Sequence, residues 1–201
     1  MKLYYSPLAC SLADHIALRE AGFAFDLERV DLKTRRTETG RDFHEVSAKG
    51  YVPVLVLGDG EIITENVAVL DWIATAAPAL AVDGPLGRTR MLEALTYITT
   101  EIHRAFKPMW HGGSAGEAAR AAASVTALLA PLAAAMRGDY LFGDEPCVAD
   151  FYLFVMLAWA ERFGVATPAP LAAMHRRMLA RPAVRSAMMR EGLLSDRMAA
   201  P

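Results

Sequence analysis

The pattern of apolar and polar residues changes character near residue 77 of this 201-residue chain. Before that point, short apolar runs alternate with segments of helical period. Residues 2–5 predict a first strand, and residues 25–30 predict a second. Between them, apolar residues recur at the spacing of one helix face: Ala9, Leu12, Ala13, Ile16 and Ala17. Gly22 predicts the end of this helix, because glycine readily takes the left-handed conformation of a helix C-terminus.

Four more elements are expected in the first part of the chain. They are a short helix or irregular segment over 42–46, strands over 52–57 and 61–64, and a helix over 65–77. The two strands flank Asp59-Gly60, a pair that favours a tight hairpin turn, and Pro78 ends the helix. The predicted order β-α-β-α-β-β-α requires a right-handed βαβ crossover followed by an antiparallel hairpin.

The remainder of the chain predicts only helices. Residues 78–87 are rich in proline, glycine and alanine and have no period, so we expect a linker there. Five helices should follow, over residues 88–107, 116–136, 147–163, 169–180 and 182–191. The sequence therefore predicts an α+β fold, with a mixed domain over 1–77 and an all-α domain over 88–201.

Composition and charge restrict the class of protein. Apolar residues make up 54% of the chain and charged residues 22%, which is enough apolar material for a buried core. The net charge of −2, with both signs interspersed, argues against a nucleic-acid-binding surface. No apolar run reaches the roughly 18 residues of a membrane span, and the segment before Cys10 is too short for a secretory signal. We therefore expect a cytoplasmic protein that binds neither nucleic acid nor a membrane.

The two cysteines, Cys10 and Cys147, are far apart in sequence, and a disulfide-rich secreted fold would use more. Cys10 lies at the predicted start of the first helix, directly after a strand. The unpaired N–H groups and the positive end of the helix dipole favour a thiolate with a lowered pKa there. Because no CxxC motif is present, Cys10 would act with an external thiol. The alternative is a small buried core residue, the more common role of a lone cysteine.

Two further segments could bind a peptide. A cis bond between Val52 and Pro53 would leave the backbone of Val52 free to pair with a peptide, whereas a trans bond would make this an ordinary strand start. Glu65 and Asn66 stand at a helix start, where they either cap the helix or bind a ligand. A helix N-terminus can hold a carboxylate and Glu65 can pair with an ammonium group, so the combination suits an α-amino acid.

Two positions in the helical part carry titratable groups. His103 lies on the first long helix and is either a surface or packing residue or a proton-transfer group. Cys147 and Asp150 have the N-cap and N3 spacing of a capping box, and we expect both to be structural. A thiol is a poor acceptor, so Cys147 should weaken this cap by about 1 kcal/mol relative to serine or threonine.

Four segments together resemble the cytosolic glutathione S-transferases, and specifically their bacterial beta class. They are MKLYYSPLACSLADHIALRE, SAKGYVPVLVLGDGEIITENVAVL, LTYITTEIHRAFKP and VADFYLF. Each match is weak alone, but the four follow the family's order and spacing over nearly the whole chain. The resemblance implies a thioredoxin-like N-terminal domain, an all-helical C-terminal domain, and a homodimer that uses glutathione as co-substrate without a metal.

The resemblance also implies roles for single residues. Cys10 would face the glutathione sulfur, with Tyr5 near it and His103 approaching from the helical domain. The glutathione-binding residues would be Arg35, Val52, Pro53, Glu65, Asn66 and Thr96. The apolar side of the site, for the electrophile, would be lined by Leu8, Phe106, Met109 and Trp110.

The sequence departs from the class at several of these positions. Leu8 replaces a glycine beside Cys10, and Asn66 replaces a serine. Thr96 replaces an asparagine, and Tyr51 replaces a glutamine. These departures concern substrate range and efficiency more than the fold.

The resemblance implies a detoxification enzyme that lowers the pKa of bound glutathione, so that its thiolate attacks an electrophile. Two alternatives stay open. Cys10 could instead exchange disulfides or reduce peroxides through a mixed disulfide with glutathione. The chain could also be a non-catalytic binding or regulatory protein that keeps the fold without the chemistry.

Overall fold

The computed structural model describes residues 1–194, which divide into two compact units. Unit 1 comprises Met1–Leu80 together with residues 181–194, and unit 2 comprises Ala81–Ala180. Unit 1 contains the sheet, and unit 2 is helical. The helix Pro182–Arg190 groups with the sheet, whereas it was expected in the all-helical domain over 88–201.

A five-stranded mixed sheet forms the centre of unit 1. Its strands are β1 (Lys2–Tyr5), β2 (Asp26–Asp31), β3 (Arg36–Thr37), β4 (Val54–Val56) and β5 (Ile62–Thr64). Their order across the sheet is β3-β2-β1-β4-β5. Strand β1 is parallel to β2, whereas β4 is antiparallel to both β1 and β5. The expected βαβ unit with an added hairpin is thus confirmed, and the two-residue strand β3 is an addition to it.

The α-helices within residues 1–194 are α1 (Ser11–Glu20), α2 (Asn66–Ala76), α3 (Gly87–Tyr97), α4 (Lys107–Trp110), α5 (Ala115–Ala135), α6 (Val148–Phe163), α7 (Ala169–Ala180) and α8 (Pro182–Arg190). In unit 1, α1 contacts both α2 and α8. Leu12 and Ile16 of α1 and Leu70 and Ile73 of α2 are completely buried. Burial stabilises the fold by about 1.5–3 kcal/mol for each such side chain, which anchors both helices.

Helix α6 is the centre of unit 2. All of its first ten residues are buried, as its apolar sequence predicts for a core helix. The helix expected over 88–107 is interrupted, since α3 ends at Tyr97 and Ile98–His103 is π-helical. Such π-helical segments are rare and frequently occur at functional sites, and this one ends at His103.

Helix α5 is long and apolar enough, by length and composition, to cross a membrane, contrary to the expectation from apolar runs. It nevertheless carries Glu117 and Arg120. Its buried residues, Ala121, Val125 and Leu129, recur every four residues on one face, as in an amphipathic helix. A single helix of this length and composition is weak evidence for a membrane span, because core helices of soluble proteins can have the same length and composition.

Candidate active site

Cys10 lies at the junction of β1 and α1. It is the half-buried N-cap residue of α1, and its backbone already has helical dihedral angles. Its Sγ is 3.7 Å from the carbonyl oxygen of Val52, to which the thiol donates. The side chain of Asn66 donates to the carbonyl oxygen of Cys10, with an Nδ2–O distance of 2.8 Å. The N-termini of α1 and α2 and the loop before β4 therefore meet at Cys10.

The surroundings of Cys10 favour the thiol over the thiolate. Burial raises its pKa to about 12, and the nearby Asp14 carboxyl acts in the same direction. Hydrogen bonds from Asn66 and from the N–H of Ser11 lower the pKa of Cys10, but by less than burial raises it. The expectation of a lowered pKa is wrong here because desolvation outweighs the helix dipole. Cys10 is therefore suited to donate its S–H rather than to attack as a nucleophile.

The loop before β4 has the geometry that a peptide site requires. The bond between Val52 and Pro53 is cis, as the resemblance implies, and Val52 is buried. Arg35 reaches the same loop, where its guanidinium donates to the carbonyl oxygen of Gly50. Tyr5 ends β1 and is also buried, and this burial raises the pKa of its phenol.

Glu65 carries the negative charge at the start of α2. It is the N-cap residue, with a φ of 73°, and its Oε1 accepts from Lys49 Nζ and from the hydroxyl of Tyr51 at 2.8 Å. The bond from Lys49 and then the bond from Tyr51 lower the pKa of Glu65. Its side chain is 51% exposed, so an ionised carboxylate is accessible to a cationic group of a ligand.

Asn66 is oriented toward the protein rather than toward solvent. The residue is buried and its Nδ2 donates to the carbonyl oxygen of Cys10, whereas the resemblance implies that Asn66 binds glutathione. Its buried Oδ1 has no hydrogen-bond partner among residues 1–194. Asn66 thus holds the start of α1 in place and keeps one acceptor atom beside Cys10.

His103 lies within an aromatic cluster of unit 2. Its Nδ1 is 2.7 Å from the hydroxyl of Tyr152, and its ring is perpendicular to that of Trp159, with 4.9 Å between ring centroids. Burial lowers the pKa of His103 to about 4, so the imidazole is neutral near pH 7. Tyr152 fixes the orientation of this ring and engages Nδ1.

The residues expected on the electrophile side differ in exposure. Phe106 is completely buried and packs edge-on against Trp159, so it belongs to the core of unit 2. Met109 is half-buried, and Trp110 is 36% exposed with the guanidinium of Arg162 over its ring. Within unit 2, Met109 and Trp110 are therefore the members of this set that retain exposed surface.

Two further predicted residues lie in different units. Thr96 is exposed on α3 in unit 2. Leu8 is half-buried in unit 1, in the loop between β1 and α1, and has a φ of 58°. This left-handed conformation is uncommon for a residue other than glycine, and it falls at one of the positions where the chain departs from the beta class.

Asp150 forms the expected contact at the start of α6. Its carboxylate accepts from the N–H of Cys147, with an Oδ2–N distance of 2.9 Å. It also accepts from the N–H of Leu141 at 2.9 Å, a contact that the spacing did not indicate. The side chain is completely buried, and burial raises the pKa of Asp150 to about 6. The geometry of Asp150 and Cys147 is that of a structural cap.

The partners of Glu65 were not predicted from the sequence. Lys49 and Tyr51 bind its carboxylate from the loop before β4. The available signal was a cation and a hydroxyl immediately before the Val52-Pro53 pair, in one of the two segments that were expected to bind a peptide.

Two buried carboxyls near Cys10 were also missed. Asp14 follows Cys10 by four residues, so helical spacing alone places both on one face of α1. Glu191 binds the N–H of Leu8 across 183 positions of sequence, and no local pattern indicates such a contact.

The buried Asp14 carboxyl should make stability decrease with pH. Neither of its oxygens has a hydrogen-bond partner within the described chain, and burial raises its pKa well above the usual value. The folded state therefore keeps this proton to a higher pH than the unfolded state, so stability is lost as the pH rises between the two pKa values. We expect Asp14→Asn to be about 1–3 kcal/mol more stable than wild type near pH 8, and to gain less near pH 5, in urea unfolding.

The matched control for this experiment is Asp26→Asn, which changes an exposed carboxyl of the same unit. Its unfolding should equal that of wild type at both pH values. If Asp14→Asn gave no gain near pH 8, the Asp14 carboxyl would have to be stabilised in solution by a partner.

No group of three or more His, Cys, Asp or Glu side chains within residues 1–194 could hold a metal ion.

Comparison with known proteins gives a consistent assignment over both units. Residues 9–76 match the family model for the glutathione S-transferase N-terminal domain, and residues 93–182 match that for the C-terminal domain. The chain is 38% identical over 200 residues to glutathione S-transferase GstA of Escherichia coli O157:H7, covering 96% of this chain and 100% of the relative.

Solved structures give the same result. A sphingomonad glutathione S-transferase complexed with glutathione is 45% identical, with a TM-score of 0.88 over 96% of this chain and 100% of the other. The bacterial beta class glutathione S-transferase of Sphingomonas chungbukensis is also 45% identical, with a TM-score of 0.89 and the same coverage. The similarity therefore extends over the strands, helices and loops that surround Cys10.

Proposed function

Since the chain belongs to the glutathione S-transferase family and is a glutathione-conjugating enzyme, we propose that it binds glutathione where α1, α2 and the loop before β4 meet. The observation that carries this proposal is the pair of contacts at Cys10. Its thiol bonds to the carbonyl of Val52, and its carbonyl accepts from Asn66. These contacts place a sulfur, a peptide backbone and a helix N-terminus within one ligand's reach.

The tripeptide would be recognised by groups of matching chemistry. The ionised Glu65 pairs with the γ-glutamyl ammonium, and the N-terminus of α2 faces the adjacent carboxylate. The backbone of Val52 pairs with the cysteinyl unit, as in strand addition. Arg35 is the cationic group for the glycyl carboxylate. Val52, Arg35 and Glu65 each contact Cys10 or the loop before β4, which supports these assignments.

Cys10 stabilises the glutathione thiolate as a hydrogen-bond donor. When the glutathione thiol loses its proton to solvent, the S–H of Cys10 turns from the Val52 carbonyl to the new sulfur anion. The positive end of the α1 dipole favours the same charge. The thiolate then forms a carbon–sulfur bond with the electrophile, and the displaced group leaves with the bonding electron pair.

The raised pKa of Cys10 bears on the exchange alternative. Formation of a mixed disulfide begins from a thiolate, and the structure gives Cys10 little thiolate near pH 7. Conjugation needs only the S–H donor, so the raised pKa of Cys10 favours transfer over disulfide exchange. The relatives named above are transferases, which also sets aside the non-catalytic alternative.

The remaining assignments follow from the family. We propose small, mostly apolar electrophiles as second substrates, with Leu8, Met109 and Trp110 supplying apolar contacts and the neutral His103 acting near the sulfur. Tyr5 and Thr96 are secondary members of the same proposal. We expect the enzyme to be a homodimer, which equilibrium sedimentation would test. We also expect it to be in the cytoplasm.

Replacing Glu65 tests the proposed glutathione site. Glu65→Gln should raise the KM for glutathione about tenfold or more and leave kcat within about threefold. The reason is that the Glu65 carboxylate would stabilise bound glutathione equally in the ground state and in the transition state. His103→Asn should instead lower kcat. The measurement is steady-state conjugation of chlorodinitrobenzene together with calorimetric titration of glutathione.

Glu61→Gln is the matched control, since it removes an exposed carboxylate from the neighbouring hairpin. It should leave both kinetic constants unchanged. The proposal would be overturned if the wild-type protein released no heat with glutathione and conjugated no electrophile, or if both glutamate variants behaved alike.

A further inference from the structure

The loop that carries Cys10 is held in an unfavourable backbone conformation. Leu8, two residues before Cys10, has a φ of 58°, where the β-carbon of an L-residue is crowded by its own backbone. Within residues 1–194, three residues other than glycine have a positive φ: Leu8, Arg35 and Glu65. All three border the proposed glutathione site, and such conformations persist only where surrounding contacts enforce them.

Two contacts hold the turn that contains Leu8. The N–H of Ala9 donates to the carbonyl oxygen of Ser6 at 3.0 Å, so Leu8 is the third residue of a four-residue turn, where a positive φ occurs. The second contact comes from the C-terminal end of α8. The N–H of Leu8 donates to Oε2 of Glu191 at 3.1 Å. The other carboxylate oxygen, Oε1, is 2.9 Å from Nδ1 of His15 on α1. Both side chains of this pair are completely buried. Glu191 thus joins the loop, α1 and α8 through one carboxylate.

The hydrogen-bond chain fixes the proton on His15. Arg19 donates from Nε to Nε2 of His15 at 2.8 Å, and a guanidinium can only donate. The proton of the neutral imidazole must therefore be on Nδ1, from which it donates to Glu191. Burial keeps His15 neutral by lowering its pKa to about 3. Each oxygen of Glu191 consequently faces a donor, Leu8 N–H on one side and His15 Nδ1–H on the other. Burial raises the pKa of Glu191 to about 8 and the bond from Leu8 lowers it. With donors on both oxygens, an added proton would have no acceptor among these partners, so the contacts favour the carboxylate.

We propose that Glu191 is a positioning residue, whose carboxylate anchors the turn around Leu8 and thereby sets the Cys10 thiol against the glutathione sulfur. The inference rests on the proposed glutathione site and adds a residue 181 positions after Cys10 to its support. It also explains how this chain carries leucine where the resemblance expects glycine. Glycine adopts a positive φ without steric cost, whereas leucine does so at a cost that the contacts of its turn must offset.

Glu191→Gln tests the proposal with almost no change of shape. A carboxamide has one acceptor oxygen and one donor nitrogen, so it necessarily turns a donor toward either Leu8 or His15. We expect the KM for glutathione to rise about tenfold and kcat to change by less, because the loop is misplaced before glutathione binds. Amide hydrogen exchange in the peptide covering residues 6–10 should also become faster.

The Leu8→Gly background separates positioning from general stability. With glycine at position 8, the loop adopts its conformation unaided, so Glu191→Gln should change kcat/KM by less than about threefold relative to Leu8→Gly alone. An equal loss in both backgrounds would overturn the proposal, since a purely structural role of Glu191 does not depend on residue 8. The comparison uses ratios within each background, so any direct effect of Leu8 on the electrophile cancels.

Two further outcomes are distinguishable. If Glu191→Gln does not fold, Glu191→Asp is tested in the same two backgrounds, because it keeps the charge but shortens the reach to Leu8. The same dependence on residue 8 is expected, and its absence would overturn the inference. If the wild-type enzyme itself neither binds nor conjugates glutathione, the proposed function fails, whereas additive variants in an active enzyme overturn only the role of Glu191.

Discussion

In the glutathione-free enzyme, iodoacetamide should alkylate Cys10 at least about fiftyfold more slowly than free cysteine near pH 8. A pKa of about 12 leaves a thiolate fraction of about one in ten thousand at that pH, against about one in four for a free thiol. The higher intrinsic reactivity of a more basic thiolate recovers part of this factor, and about fiftyfold remains. The rate should continue to rise with pH beyond about pH 10.

The measurement requires a single reporting thiol. Cys147→Ser removes the second cysteine, and the hydroxyl that replaces it is a good cap for α6. Intact mass then reports modification at Cys10 alone, and Cys10→Ser in the same background gives the zero rate. Fast alkylation with a midpoint below about pH 8 would contradict the buried-thiol geometry and restore the thiolate expected from the helix start.

The outcome decides what Cys10 can do in catalysis. A neutral thiol that donates to the Val52 carbonyl can donate instead to a stronger acceptor, such as the glutathione sulfur anion. A thiolate would instead repel a second sulfur anion and favour mixed-disulfide chemistry. The sign of the pKa shift at Cys10 therefore separates the transferase mechanism from the exchange mechanism.

The strands and most helices could be predicted from the sequence because their signals are local. The β-branched run around Val54 and the Asp59-Gly60 turn together determine the hairpin, and the spacing of apolar residues determines α1. Strand β3 could not be predicted, since a pair of residues is too short to show alternation. The π-helical segment before His103 has no sequence signature, because its hydrogen-bond register depends on packing against the rest of unit 2.

The candidate site was predictable where its residues lie at the ends of elements. Cys10, Val52-Pro53 and Glu65 were found in this way, since each begins a helix or strand whose position the pattern shows. The direction of the Cys10 pKa shift was not predictable, because it depends on how much of the protein covers the thiol. Glu191 was missed for the same reason: its contact with the loop forms only when α8 returns to unit 1.

The largest loss of stability should follow Asp150→Ala. The buried carboxylate of Asp150 accepts from the N–H groups of Leu141 and Cys147, both at 2.9 Å. Alanine leaves both donors buried without an acceptor, which costs about 1–3 kcal/mol for each, so we expect a loss of about 2–5 kcal/mol. Asp150→Asn should lose roughly half as much, because an amide can accept from one donor but turns its own N–H groups toward the other.

Chemical unfolding followed by circular dichroism measures these losses, and Asp144→Ala is the matched control. Asp144 is an exposed loop carboxylate that accepts one N–H, from Asp139 at 3.3 Å. Its replacement should change stability by less than about 0.5 kcal/mol, as is usual for exposed positions. A loss below about 1 kcal/mol for Asp150→Ala would show that water reaches both donors. The order Ala, Asn, wild type is the signature of a carboxylate with two buried partners, because it follows the number of acceptors that each side chain offers.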